Sequence, residues 1–167
     1  MKLRLQELVA AGLLAALLYA QQVLLSGLPN IHLTALLVML YAVCLPRLAM
    51  PAVAVFVLLE GLTYGFGIWW VSYLYVWPLL VVVAWCLRSC RPAVVWAMVS
   101  GAFGLCFGAL CALPYLFVGG LSAALAYWVS GIPFDLIHGV GNFVLTLLLW
   151  NPLHRGLCEV RRRFLSA

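Results

Sequence analysis

The run IWWVSYLYVWPLLVVVAWCL (residues 68–87), RSCRP (88–92), AVVWAMVSGAFGLCFGALCALPYLF (93–117) decides what kind of protein this is. A helix needs about 20 apolar residues to cross a hydrocarbon core of about 30 Å, and each flanking stretch is that long. The turn between them holds two arginines and a proline, and an arginine at the bilayer centre costs roughly 2.5 to 3.5 kcal/mol on insertion scales. The segment therefore reads as a membrane hairpin whose turn stays in the cytoplasm.

Extending the same threading in both directions predicts six spans. Span 1 covers about Leu5 to Leu25 and ends at the turn-forming Ser26-Gly27-Leu28-Pro29-Asn30, which has no Lys or Arg and faces outward. Span 2 occupies Ile31 to Leu45 and stops at Pro46-Arg47, and span 3 runs from Pro51 to the glycines at 65 and 67. At about 15 residues, span 2 needs flanking residues or a thinned bilayer to cross. Span 4 is Ile68 to Leu87 and span 5 is Ala93 to Phe117. Leu121 to Gly131, with Tyr127 and Trp128, is too short to cross alone and reads as an interfacial loop or helical turn. Span 6 starts at Pro133, suited to a first helical turn, and ends before Asn151-Pro152.

Under this threading all nine basic residues, Lys2, Arg4, Arg47, Arg88, Arg91, Arg155, Arg161, Arg162 and Arg163, lie on one side. Positive charge flanks the cytoplasmic ends of spans, so both termini are expected in the cytoplasm. The expected fold is an all-α integral membrane bundle of six transmembrane helices forming a single domain over residues 1–167. Composition agrees, since 68% of residues are hydrophobic and only 8% charged, more apolar matter than a soluble core of this length can hide. The net charge of +5 sits at span ends and in Arg161-Arg162-Arg163, where anionic lipid is a nearer partner than nucleic acid. The six cysteines show no CxxC or Cys/His zinc spacing, so they read as packing residues and no metal or cofactor is expected.

Small residues recur every four positions on two spans: Gly12, Ala16 and Ala20 beside Ala11 and Ala15, and Ser100, Gly104, Gly108 and Ala112. Such stripes let helix backbones approach closely in lipid, within the bundle or against a partner. The embedded polar groups are Glu60 on span 3 and Asp135, His138 and Asn142 on span 6. The last three share one helical face, and ionisable groups at this depth must face the bundle interior or water. Asp135 has a second reading, as a cap of the span 6 N-terminus beside Pro133. Aromatics crowd the same level: Tyr64, Trp69, Trp70, Tyr73, Tyr75 and Trp77. Rings combined with carboxylates suit a flat, nitrogenous, cationic small molecule. Asn30 and His32 on the outer loop are placed to close over it, and Gln21 and Gln22 add amides.

An enzyme is not expected, because there is no GxSxG or HExxH and the Ser130 context is only superficially protease-like. No filter sequence argues for a channel. Two readings remain: an outward-facing binding pocket coupled to another protein, or a stand-alone proton-coupled carrier using Glu60, Asp135 and His138.

The first gains from a resemblance. Ala11-xxx-Ala15, Gln21-Gln22 to Leu28-Pro29-Asn30-Ile31, Glu60-Gly61-Leu62-Thr63-Tyr64-Gly65, and Gly131-Ile132-Pro133-Phe134-Asp135 followed by His138 and Asn142 together span nearly the whole chain. The chain resembles the substrate-specific S components of energy-coupling factor (ECF) transporters. That resemblance implies six spans with both ends inside, and capture of a water-soluble vitamin or precursor beneath loop 1. It implies delivery, by toppling in the bilayer, to a transmembrane coupling subunit with two ATPases. Thiamine or its pyrimidine precursor, pyridoxine, queuosine precursors and cobalamin all stay open. The chain has no P-loop, so ATP chemistry belongs to the partners. Ala11 and Ala15 match the family's docking motif. The expected substrate contacts are Glu60, Trp69, Tyr73, Trp77, Asp135, His138 and Asn142, with Asn30 and His32 on the lid.

Overall fold

The chain folds, in a computed structural model that describes residues 4–28 and 30–164, into six helices and, among those residues, no strand. Lys2 and Pro29 lie outside the described residues. In order they are α1 (Leu5–Leu24), α2 (Thr34–Cys44), α3 (Pro46–Tyr64), α4 (Ile68–Cys86), α5 (Ala93–Ala112) and α6 (Tyr115–Phe164). Five of them, all but α2, are long and apolar enough to cross a membrane. Large apolar side chains cover the outside, among them Leu24, Leu62, Phe117 and Leu148, the exterior of a multi-pass membrane protein rather than of a soluble one.

Helix α2 is the hub. Every residue from Thr34 to Ala42 is buried, as is Cys44, and the helix packs on α1, α3, α4, α5 and α6. A helix apolar on all sides has no polar face to give to water, so it becomes the core. At 11 residues it is about 16 Å long, half of a bilayer core. The expectation that flanking residues or a thinned bilayer let it cross is replaced by a simpler arrangement: protein surrounds it, so its end groups meet protein rather than acyl chains.

Other boundaries differ where proline misleads. Helix α3 begins at Pro46, not at Pro51, because a proline fits the first turn where its missing N–H is an orphan anyway. Pro51 then sits inside α3 at the loss of one ladder bond. Gly65 ends that helix with φ 90°, a conformation that suits glycine. Helix α5 stops at Ala112, earlier than Phe117, in a tight turn where the Leu113 N–H donates to Leu110 O and the Phe117 N–H to Pro114 O.

The expected interfacial segment and span 6 are one continuous helix. α6 is non-helical only at Gly120 (φ 72°, ψ −169°), a region essentially reserved for glycine, and from there it runs helically through Pro133 and Pro152 to Phe164. Asn151-Pro152 does not end it. The α5 stripe packs against α6: a Cβ on Gly104 would lie 2.8 Å from Gly139 Cα, and one on Gly101 would lie 3.3 Å from Gly139 O. Glycine facing glycine brings the two backbones close enough for dispersion to hold them, the attraction available between helices in lipid.

The basic residues collect at one end of the bundle. Arg47 approaches Glu7 at 3.9 Å, Arg161 Nη1 donates to Cys44 O at 3.1 Å, and Trp96, whose indole donates to Cys90 O, stacks on Trp150 of α6 at 4.3 Å.

Candidate functional site

At the opposite end, two adjacent glutamines of α1 organise the connection to α2. Gln21 is buried: its Nε2 donates to Leu18 O (2.8 Å) and Thr34 Oγ1 (2.7 Å), while its Oε1 accepts the Leu33 N–H (2.7 Å). The Thr34 hydroxyl in turn donates to Gln22 Oε1 (3.1 Å). The Gln21 amide is nearly saturated by this relay, and it closes the start of α2, which has no side-chain cap of its own. Gln22 has one arm left. Its Nε2 donates to Glu60 Oε2 at 3.0 Å and so fixes the carboxylate that α3 brings to the same place.

Glu60 is only 2% exposed, and its Oε1 is buried with no hydrogen-bond partner among the described residues. A half-satisfied carboxylate is an expensive group to shelter, and here it borders a cavity of about 400 Å³. Asn30 and His32 from the α1–α2 connection form one wall, Trp69 and Tyr73 of α4 another, and Phe107 of α5 a third. The α4 rings arise from sequence spacing. Trp69, Tyr73 and Trp77 recur every four residues, so they stack up one face as edge-on pairs, 5.2 Å and then 5.6 Å between centroids.

Beneath the cavity lies a second set of rings. His32 meets His138 at 4.8 Å and Trp77 at 6.3 Å, and His138 meets Phe107 at 4.9 Å. Burial pushes the His32 imidazole down from 6.5 to about 4, so at neutral pH it is an uncharged ring whose Nδ1 accepts the Thr34 N–H at 3.4 Å and whose Nε2 is left to donate. His138 Nε2 and Trp77 Nε1 are both buried without a hydrogen-bond partner among the described residues.

The predicted residues thus separate into three positions. Glu60, Trp69, Tyr73, Asn30 and His32 line the cavity. Trp77 and His138 contact His32 from below and do not line it. Asp135 and Asn142 face α5: Asp135 Oδ1 accepts the Gly108 N–H at 3.0 Å, and Asn142 Nδ2 donates to Ser100 O at 3.4 Å. Asp135 is therefore no N-cap, because the helix passes through Pro133. Gly108 has no side chain because a Cβ there would collide with the Asp135 carboxylate. Phe107 was missed by sequence reasoning; its spacing of four from Phe103 was the available signal.

The expectation that Ala11 and Ala15 present themselves to a partner is corrected. They are 3% and 0% exposed, buried on the inward face of α1 with Leu18 and Gln21. The exposed small residues of α1 are Gly12, Ala16 and Ala20, the neighbouring stripe.

No family model, no curated protein and no solved structure matches this chain.

Proposed function

We propose that this chain is the substrate-binding subunit of an ECF-type transporter, capturing a water-soluble vitamin or vitamin precursor from outside the cell and passing it to a transmembrane coupling subunit driven by two ATPases. The observation that carries the reading is the cavity of about 400 Å³ lined by Asn30 and His32, with a carboxylate oxygen of Glu60 that has no hydrogen-bond partner among the described residues at its edge. Its size falls in the usual range for small-molecule sites, roughly 300 to 1,000 Å³. Aromatic faces with one carboxylate favour a flat ring bearing a positive or N–H donor group.

In this reading the cavity end faces outward, the basic end and both termini are cytoplasmic, and α2 counts as the sixth, protein-enclosed span. The exposed Gly12, Ala16 and Ala20 stripe is the surface that meets the coupling subunit, in place of Ala11 and Ala15. The experiment is mass spectrometry of small molecules that co-purify with the detergent-solubilised protein. One vitamin-like solute per chain is expected. A protein that retains no solute, yet by itself carries protons across liposome membranes, is instead the proton-coupled carrier and overturns the proposal.

A further inference from the structure

Two of the six cysteines do not stand alone. Cys44, the last residue of α2, and Cys158, on α6, bring their sulfurs to 3.3 Å although 114 positions separate them. His154, one turn before Cys158, holds Nε2 3.8 Å from the Cys158 sulfur. One donor atom from each of the three lies within 4.8 Å of the others.

We propose that Cys44, His154 and Cys158 form a metal site that takes one zinc-class cation through two thiolates and an imidazole nitrogen, leaving a fourth position to water. With bonds of about 2.3 Å to sulfur and 2.0 Å to nitrogen, a tetrahedral ion would hold the two sulfurs about 3.8 Å apart and each sulfur about 3.5 Å from the nitrogen. The separations of 3.3 Å between the sulfurs and 3.8 Å from the Cys158 sulfur to the His154 nitrogen differ from those by a few tenths of an ångström, which small side-chain rotations supply. Thiolate and imidazole together select zinc, or cobalt as its probe, over magnesium or calcium, which want oxygen.

The surroundings suit the task. The His154 ring lies nearly parallel to Trp150, 23° and 5.9 Å, and Trp150 is itself stacked on Trp96, so the imidazole is held by packing. Leu45 and Leu48 are buried beside Cys44, with Leu157 and Ala10 packed against them, an apolar shell that limits water at the site. The Arg161 guanidinium donates to the Cys44 carbonyl and so brings one positive charge near the two sulfurs. Binding is balanced as M²⁺ plus two S–H giving M(S)₂ plus two H⁺, with both protons released to solvent and no redox change. The ion would tie the α2–α3 corner to the far part of α6, where the Cys44 thiol donates to His154 O at 3.9 Å and Arg161 Nη1 donates to Cys44 O.

The test uses the untagged full chain in detergent with a non-chelating phosphine reductant. After equilibration with zinc and removal of the excess, elemental analysis should find about one zinc per chain, and cobalt should give a thiolate-to-metal charge-transfer band. Cys158→Ser and His154→Gln should each weaken zinc binding at least about tenfold, whereas Cys86→Ser and Cys90→Ser should not. Helical circular dichroism and elution volume report folding. Should a ligand variant fail to fold, the cobalt band of the native chain decides: its absence overturns the proposal. So does zinc that survives both ligand substitutions, or a Cys44–Cys158 disulfide that persists in the reductant.

Discussion

At the residue scale the decisive group is Glu60. Gln22 satisfies one carboxylate oxygen and no described residue satisfies the other, so the charged form keeps one acceptor for a guest. Glu60→Gln preserves shape and the Gln22 contact while removing that charge-assisted bond. It should weaken binding of a cationic solute by about one to three kcal/mol with the helical content unchanged, measured by titration calorimetry; unaltered affinity would remove Glu60 from the site. His32 gives a pH prediction whose sign follows from its depressed value. The exposed imidazole protonates near 6.5 and the buried one only near 4, so the closed connection is fully stable above 6.5 and loses stability as pH falls towards 4. Protection of the Leu33 amide, bonded to Gln21, should drop across that window by up to roughly tenfold per pH unit. His32→Phe keeps the ring contacts and should flatten the profile; a profile that stays steep would assign it to a group other than His32. Sequence alone showed that Glu60, Trp69 and Tyr73 belonged to one level of the bundle. It could not give helix rotation, and rotation is what sends Asp135 and Asn142 to α5 while His138, on nearly the same face, reaches His32.

At the element scale, charge and glycine punctuate this chain more reliably than proline does. Helix α4 starts and ends within a residue of where Gly67 and Arg88 placed it. Helices α3 and α6 run through prolines that looked like boundaries, because in lipid an unbroken helix with one missing bond is better than exposed backbone. The α5–α6 contact tests the packing argument. Gly104→Ala puts a methyl 2.8 Å from Gly139 and His138 backbone atoms, which cannot rotate away, so it should cost about 1 to 3 kcal/mol in detergent unfolding. Gly131→Ala, also within a helix, meets nothing within 4 Å and should stabilise by about 0.5 to 1 kcal/mol. Helix α1 offers a parallel contrast between its two stripes. Ala15→Leu forces bulk into a fully buried position and should destabilise the protein itself, whereas at Gly12 an added Cβ meets nothing within 4 Å. Gly12→Leu should therefore leave folding and solute binding intact but reduce uptake in cells that carry the coupling subunits. Undiminished uptake would argue against docking through this face.

At the scale of the whole molecule, the two ends are chemically opposite, and that asymmetry implies an orientation. One end carries Arg4, Arg47, Arg88, Arg91 and the Arg161 to Arg163 run; the other offers a cavity with Glu60 and, among the described residues that line it, no Lys or Arg. Inverting the chain would carry all of that positive charge across the membrane, at roughly 2.5 to 3.5 kcal/mol for each arginine taken through the bilayer centre on insertion scales. The cavity end should therefore face outward. Gly27 and Ser89 mark the two ends, both are exposed, and a Cβ at Gly27 meets nothing within 4 Å. In a cysteine-free background, an impermeant maleimide added to intact cells should modify Gly27→Cys and spare Ser89→Cys until the membrane is permeabilised. The reverse pattern would turn the pocket towards the cytoplasm, where it could not capture an external nutrient, and the uptake reading would fall even if the pocket still bound its solute.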